Sequence, residues 1–359
     1  MSALLEQEQG LRVQQSGWFI YANRGMLDTD CIVTARRIPL FAVMPDRERG
    51  PVGLVGLGLM GRGIATCLIA HGYSVVGVDP GAGPRKKATT HVAGALHDLR
   101  ARKRLSAASL RGWESRFQLG ASVEALKNCW LVLECIPEDL QSKRTLYKAL
   151  EQVVSARTII ASNTSSLPIT LLQQGQIHPR RFVGMHWGEP AQILHYLEII
   201  PGKQTSPAVL RAAERFGLSC GKEPTILKQD IRGFLSNRLM YAMIREACHL
   251  VECGIADIET VDRSFRNDIG WWATLAGPFR WMDLTGIPAY AAVMEGLLPE
   301  LSNSTDVPDL MRKMTKSNAH GIQNQRGFYN YTRKSAQEWE RRWVEFTYDI
   351  EQVVKRHQA

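Results

Sequence analysis

From Val52 onward, short apolar runs alternate with longer helical stretches. The apolar runs fall at 52–58, 74–79, 130–136, 158–163, 181–187 and 196–200. Helical patterns fill the intervals at 59–71, 84–104, 139–154 and 207–216. Apolar strands separated by helices indicate βαβ units and a mostly parallel sheet that is buried on both faces. The pattern therefore predicts a doubly wound α/β domain.

The strand pattern disappears near Gly233. Residues 233–253 predict one helix that ends at Gly254, and the remainder predicts helices interrupted by Gly and Pro. We therefore predict an extension at 1–50, an α/β domain at 51–230 and an all-helical domain at 231–359. Residues 1–43 lack a clear period and are interpreted as a poorly ordered extension ahead of Met44. The alternative is an arm that packs on a dimer, suggested by the apolar run at 18–21.

The composition is that of a packed domain protein. Of the 359 residues, 45% are hydrophobic and 22% are charged, which excludes a disordered or fibrous chain. No run approaches the ~18 apolar residues of a membrane helix, and the first ten residues do not resemble a targeting signal. The seven cysteines are odd in number and contain no C-x-x-C, so we expect free thiols, no metal site and a reducing, cytoplasmic location.

A glycine-rich turn follows the first predicted strand. In the run Gly56-Leu57-Gly58-Leu59-Met60-Gly61, Gly56 permits a tight turn and Gly58 lets the backbone approach a pyrophosphate. Gly61 allows close packing of helix and strand. The second strand ends in Asp79, whose carboxylate suits the ribose hydroxyls of NAD and repels the phosphate of NADP. The context predicts a Rossmann-type site for NAD, while the nearby Arg85 and Lys86 keep NADP open.

Polar residues end three of the later strands. One strand runs into the hydroxyl-rich segment 162–166, and another ends on His186. Glu198 lies inside the apolar run 196–200, where a buried carboxylate requires a partner such as an imidazole. Reactive groups gather at the carboxyl ends of strands in this architecture. Together these residues suggest a base, its orienting carboxylate and a hydroxyl donor.

From about 52 to 332 the chain resembles the 3-hydroxyacyl-CoA dehydrogenase family, which includes relatives that act on carnitine and on sugar acids, and a lens crystallin. The matching segments are GLGLMGRGIA (56–65), ECIPEDLQSKRTLY (134–147), ASNTSSLPIT (161–170), GMHW followed by LEII, RGFLSNRL (232–239), REACHLVECGIADIETVD (245–262) and GPFRWMDLTG (277–286). The resemblance implies a Rossmann-type α/β domain followed by an all-helical domain through which the protein dimerises.

The resemblance also implies roles for four side chains. His186 would remove the proton of the 3-hydroxyl group, and Glu198 would hold the imidazole and stabilise its cation. Ser165 would hydrogen-bond the reacting oxygen, and Asn237 would position the substrate at the domain boundary.

Three further positions, Glu138, Lys143 and Asn163, are assigned to the cofactor, together with the glycine turn. One departure concerns the substrate: the family follows its His with an aromatic residue and Asn-Pro, whereas here Glu189 precedes Pro190. A negative charge at the mouth of the site would disfavour the usual acyl substrate or favour a cationic or hydroxylated one.

The implied reaction is NAD-dependent oxidation of a 3-hydroxyacyl substrate, first of all a 3-hydroxyacyl-CoA, to its 3-oxo form. The alternatives are a dehydrogenase of a carnitine- or gulonate-like 3-hydroxy acid, and a non-enzymatic, crystallin-like NAD-binding protein. The glycine turn is also typical of enzymes related to 6-phosphogluconate dehydrogenase, but the catalytic lysine element of that group is not found.

The net charge of +9 raises the question of nucleic acid. Eight basic residues and one acid, Asp98, lie between Arg85 and Arg111, without the interleaved aromatic residues of a single-strand binder. We therefore expect no nucleic-acid partner. Either this stripe is a solvated helix face, or, as the resemblance implies, Lys86 and Lys87 lie near the phosphate of a CoA substrate.

Overall fold

The structure is a computed structural model that describes residues 50–357, so the predicted extension at 1–43 lies outside the described residues. Its strands are β1 (Val52–Val55), β2 (Val75–Val78), β3 (Phe117–Gly120), β4 (Leu131–Glu134), β5 (Ile159–Ser162), β6 (Phe182–Trp187), β7 (Tyr196–Pro201) and β8 (Glu223–Ile226). They form one sheet in the order β3-β2-β1-β4-β5-β6-β7-β8. Strands β1 to β6 are parallel, which confirms the predicted doubly wound, mostly parallel sheet.

Strand β7 runs antiparallel to β6, and β8 runs parallel to β7. The link between β6 and β7 spans residues 188–195. Such a link is shorter than the dozen or more residues that a parallel crossover requires, so β7 reverses direction. The reversal places His186 directly opposite Glu198.

The helices of the α/β part cover both faces of the sheet. They are α1 (Leu59–Ala70), α2 (Ala82–Ala101), α3 (Ala107–Leu110), α4 (Leu140–Val153), α5 (Ile169–Gln173) and α6 (Pro207–Ser219). Several begin at side-chain caps: Asp139 accepts the backbone N–H of Ser142, and Ser206 precedes Pro207 at the start of α6. One apolar cluster includes Leu54 and a second, separate cluster includes Val132, as both-sided burial requires.

The helical part follows β8. It contains α7 (Ser236–Glu252), α8 (Ile258–Asn267), α9 (Ile269–Leu275), α10 (Pro278–Thr285), α11 (Ile287–Leu297), α12 (Asp309–Lys316) and α13 (Arg333–His357). Helices α8 to α12 contain no buried residue, whereas α1 buries most of its length. No helix within residues 50–357 is long and apolar enough to cross a membrane.

The last helix, α13, returns to the α/β part. Tyr348 Oη donates to Asp98 at 3.1 Å, and the Arg102 guanidinium lies 4.2 Å from the centre of the tyrosine ring. Glu351 accepts from Arg104 and pairs with Nε2 of His195 at 3.3 Å. Part of the basic stripe therefore anchors the C-terminal helix.

Candidate active site

The glycine turn forms an anion cradle at the start of α1. Gly56 has a positive φ of 89°, and a Cβ at Gly61 would lie 1.9 Å from the Gly56 carbonyl oxygen, so neither position accepts a side chain. A Cβ at Gly58 would meet nothing within 4 Å. Leu59 and Met60 open the helix, whose first turn has no side-chain cap and no acidic residue. Its backbone N–H groups and dipole suit a pyrophosphate.

Asp79 lies at the end of β2 and holds this turn. One carboxylate oxygen accepts the N–H of Leu57 at 3.0 Å, and the other accepts the N–H of Gly81 at 2.9 Å. Arg85 donates to the carbonyl oxygens of Asp79 and Pro80 at 2.5 and 3.0 Å, so its guanidinium is engaged by the backbone. A carboxylate with a spare lone pair on each oxygen fits the ribose hydroxyls of NAD.

His186 and Glu198 form a buried pair on β6 and β7. Nδ1 of His186 lies 3.0 Å from Oε2 of Glu198. The two residues are 9% and 1% exposed, respectively. The structure thus brings together the imidazole and the carboxylate that the sequence singled out.

Glu198 also joins the two parts of the chain. Its Oε1 accepts the N–H groups of Leu235 and Ser236 at 3.1 and 3.0 Å, at the start of α7. Burial opposes ionisation of Glu198, but hydrogen bonds from His186, Tyr196 and the Ser236 backbone hold its pKa below its ordinary value. The carboxylate is therefore charged near neutral pH.

Tyr196 is a member of this group that sequence reasoning missed. Its hydroxyl lies 2.7 Å from Oε2 of Glu198 and 2.9 Å from Nδ1 of His186. The strand alternation offered a signal, because residues two apart on a strand project to the same face.

The serine-rich loop after β5 is built around Glu138. Its Oε1 accepts the hydroxyl of Thr164 and the N–H groups of Ser165 and Ser166, the latter two at 3.1 and 2.9 Å. From the helical part, Nδ2 of Asn237 donates to the Ser165 carbonyl oxygen at 2.7 Å. The predicted residues Ser165 and Asn237 therefore meet across the domain boundary.

Beneath this loop lies a buried ionic network. Lys143, 1% exposed, donates to Oε1 of Glu134 at 2.6 Å and lies 3.4 Å from Oε2 of Glu138. Oε2 of Glu134 accepts from Tyr147 and Ser162, each at 2.7 Å. Sequence reasoning missed Glu134, although its position in an apolar run offered the same signal as that of Glu198. In this structure Lys143 and Glu138 support the serine loop.

Asn163 links β5 to β6, because its Oδ1 accepts the N–H of Trp187 at 2.8 Å. It is half-buried, directly after β5 and next to the serine loop. Its amide therefore fixes the backbone that follows His186.

The three residues expected near the substrate lie in different surroundings. Glu189 is half-buried against α1, where its Oε2 would lie 3.2 Å from a Cβ at Gly63. Burial raises the pKa of Glu189, which favours the neutral acid relative to an exposed glutamate. Lys86 and Lys87 are exposed on α2.

Within residues 50–357, no group of three or more His, Cys, Asp or Glu side chains is placed to hold a metal ion.

Two parts of the sequence match known protein domains, and the two matches meet at the boundary between the sheet and the helices. Residues 51–231 match the 3-hydroxyacyl-CoA dehydrogenase NAD binding domain, and residues 233–331 match the C-terminal domain of the same family. Helix α13 lies beyond this second match.

Curated relatives extend the comparison. The chain is 34% identical over 283 residues to 5-formyl-3-hydroxy-2-methylpyridine 4-carboxylate 5-dehydrogenase of Mesorhizobium japonicum, covering 78% of this chain and 90% of the relative. It is 33% identical over 289 residues to a probable 3-hydroxybutyryl-CoA dehydrogenase of Deinococcus radiodurans, covering 78% and 99%.

A solved structure gives the same picture. The crystal structure of a 5-formyl-3-hydroxy-2-methylpyridine 4-carboxylic acid 5-dehydrogenase, described as an NAD+-dependent dismutase, superposes with a TM-score of 0.80 and 30% identity. It covers 85% of this chain and 98% of that one. With the glycine cradle and Asp79 in place, these matches identify a chain built to bind NAD. The protein belongs to the 3-hydroxyacyl-CoA dehydrogenase family.

Proposed function

We propose that the protein oxidises a 3-hydroxyacyl substrate to its 3-oxo form with NAD, using His186 as the general base. The observation that carries the proposal is the buried pair of His186 and Glu198, which stands at the carboxyl end of the sheet that holds the dinucleotide cradle. A base fixed by a carboxylate beside a nicotinamide site is suited to removing a hydroxyl proton.

The hydrogen bonds of the pair support a route for the proton. Glu198 accepts a hydrogen bond from Nδ1 of His186, so the neutral ring carries its proton on Nδ1. Nε2 can then accept a proton from the substrate. When Nε2 takes the hydroxyl proton, the imidazolium is stabilised by the buried carboxylate. Bound NAD+ supplies the hydride acceptor. Ser165 and Asn237, joined at the domain boundary, would orient the substrate oxygen.

Two classes of substrate are supported by different observations. The family descriptions and the Deinococcus radiodurans relative favour a 3-hydroxyacyl-CoA. The pyridine-carboxylate dehydrogenase favours a small carboxylic acid without CoA, because that structure superposes over 85% of this chain. Exposed Lys86 and Lys87 suit a CoA phosphate, whereas Arg102 and Arg104 of the same stripe contact α13.

The decisive experiment follows NADH absorbance with a panel of substrates. The panel contains acetoacetyl-CoA in the reducing direction, and 3-hydroxybutyryl-CoA, carnitine, 3-hydroxybutyrate, a sugar acid and a hydroxymethylpyridine carboxylate in the oxidising direction. We expect His186→Gln to lower kcat at least about 10³-fold. His97→Gln, an exposed histidine on α2, is the matched control and should retain full activity.

Activity that is unaffected by His186→Gln would refute the proposed mechanism. Turnover of free acids without turnover of any thioester would assign the protein to the non-CoA relatives. NAD binding without turnover of any member of the panel would favour the crystallin-like alternative.

We also propose a homodimer formed through the helical part, in the cytoplasm. Support for the dimer comes from the large apolar side chains that α7 to α13 expose, among them Trp271 and Phe279, each 79% exposed. Support for a reducing compartment comes from the cysteines at 67, 129, 135, 220, 248 and 253, which are all free.

A further inference from the structure

The hydroxyl of Tyr196 shares one carboxylate oxygen with the base. It lies 2.7 Å from Oε2 of Glu198, the same atom that lies 3.0 Å from Nδ1 of His186. The tyrosine ring also packs edge-on against the imidazole, with centroids 5.5 Å apart. Oε2 of Glu198 therefore receives two proton donors, while Oε1 receives the two backbone N–H groups of α7.

The chain reserves space for this ring. Trp187 and Leu197 face each other at the end of the β6–β7 pairing. Gly188 directly follows Trp187, and Tyr196 directly precedes Leu197. A Cβ at Gly188 would lie 3.0 Å from Cδ1 of Tyr196 and 3.2 Å from a methyl carbon of Leu194. Any side chain at Gly188 would therefore push against the ring that carries the hydroxyl.

The direction of the hydrogen bonds follows from the number of protons. Nδ1 of His186 has one proton and the Tyr196 hydroxyl has one, while the Glu198 carboxylate has none. Burial, together with the hydrogen bond to Glu198, raises the pKa of Tyr196, so the hydroxyl stays protonated and donates. The stronger acceptor for both donors is the carboxylate.

We propose that Tyr196 is a positioning residue that limits how strongly Glu198 stabilises the protonated base. An oxygen that already accepts a hydroxyl proton attracts an imidazolium less than an undivided one does. This inference rests on the proposed role of His186 as the base.

The other groups around the imidazole are consistent with this account. Strand β7 contributes Glu198 and Tyr196, and the segment before α7 contributes Phe234, whose ring lies 5.7 Å from the imidazole. Helix α7 contributes the backbone N–H of Ser236, which donates to the other oxygen of Glu198 at 3.0 Å. Glu198 is thus the charged group in hydrogen-bond contact with His186, and Tyr196 is the titratable neighbour that competes for it.

The test is Tyr196→Phe, which keeps the ring and removes the hydroxyl. In the full chain with NAD bound, NMR of ¹³C-labelled histidine follows the titration of His186, whose signal is assigned by its loss in His186→Gln. We expect the titration midpoint to rise by about 0.5 to 1 pH unit. At pH values below the midpoint, the variant should oxidise substrate about threefold to tenfold more slowly than wild type. Above the midpoint, it should reduce substrate faster by the same factor.

Tyr73→Phe is the matched control. Tyr73 is buried, and its hydroxyl lies 2.5 Å from the hydroxyl of Ser219 at the end of α6. It should leave the His186 midpoint unchanged. Gly188→Ala provides a second variant, which displaces the ring by contact and should move the midpoint in the same direction as Tyr196→Phe.

An unchanged or lower midpoint in Tyr196→Phe would overturn the proposal, and so would a loss of rate in both directions without a shifted pH profile. The NMR titration requires no substrate. If the midpoint moves but no substrate of the panel is turned over, the positioning role is supported while the proposed function fails.

Discussion

At the residue scale, three carboxylates each fix a stretch of backbone around the site. Glu134 accepts the N–H of Ile136 at 2.7 Å, Glu138 those of the serine loop, and Glu198 those at the start of α7. Hydrogen bonds to an ionised acceptor are roughly twice as strong as neutral ones. The loops around the candidate site are thus held by carboxylates, of which Glu134 and Glu198 are buried and Glu138 is exposed.

Glu198→Gln tests whether the charge of Glu198 stabilises the protonated base. An amide lacks the charge that stabilises an imidazolium, so we expect kcat to fall about 10²-fold or more while KM changes little. Steady-state kinetics measures this, and circular dichroism checks that the fold is kept. An unchanged kcat would contradict the role of Glu198 as partner of the base.

Glu189→Gln tests the half-buried acid against α1. Because burial raises the folded pKa of Glu189, the wild-type protein loses stability as pH rises from the ordinary value of 4.5 through the raised one. The neutral amide removes this loss. We therefore expect a higher Tm for Glu189→Gln than for wild type at pH 8, and equal Tm values at pH 4, by differential scanning fluorimetry. Equal Tm values at both pH values would show that the charge has no cost there.

At the element scale, α13 lies beyond the family match, which ends at residue 331. It contacts the α/β part through Tyr348 and Glu351, and Glu351 in turn reaches His195, the residue before Tyr196. Burial opposes ionisation of Glu351, but hydrogen bonds from His195, Arg104 and Lys355 depress its pKa below its usual range. The helix is therefore linked through one carboxylate to the strand that carries the site.

Glu351→Gln tests this link. A carboxyl with a depressed folded pKa contributes stability above its ordinary value of 4.5, and that contribution is lost as pH falls below it. At pH 7 we expect the variant to lose about 1.5–3 kcal/mol, the usual value of charged hydrogen bonds, measured by urea unfolding. The difference from wild type should shrink as the pH is lowered towards 3.

Glu338→Gln on the same helix is the control. Glu338 pairs with Arg341 and Arg342 on an exposed face, where ion pairs contribute little. A loss as large in Glu338→Gln as in Glu351→Gln would show that α13 itself, rather than its contact with the α/β part, is being destabilised.

The elements were unequally predictable from the sequence. The buried strands β1, β2 and β4 to β7 are recognisable in the sequence as apolar runs. A strand covered on both faces needs apolar side chains throughout. The edge strands β3 and β8 were not predicted. Each is largely exposed and carries polar residues, so its place in the sheet depends on pairing with β2 or β7 rather than on its own pattern.

At the scale of the whole molecule, the helical part exposes an apolar surface that a single chain does not cover. Leu239, Tyr241 and Leu284 are more than half exposed, along with Trp271 and Phe279. Large exposed apolar surfaces are typical of interfaces. The proposed dimer accounts for it.

We expect sedimentation velocity to find a dimer at micromolar concentration. Phe279→Asp should weaken it at least about tenfold by placing a charge on the exposed apolar surface. Ile177→Asp is the matched control, because this residue is 61% exposed on the α/β part and should leave the dimer intact. A monomeric wild-type protein would contradict the proposal, as would equal effects of the two variants.

The sequence by itself determined the fold class, the NAD cradle and the identity of the chemical groups, because glycine spacing, apolar runs and an embedded carboxylate are local signals. Only the tertiary structure decided the geometry with which those groups are paired. The reversal at β7 set His186 opposite Glu198, and it brought Tyr196 onto the same oxygen. Lys143 was engaged by Glu134 and Glu138, and α13 covered part of the basic stripe. Which donor reaches which acceptor depends on strand register and on contacts distant in sequence, and no local pattern encodes these.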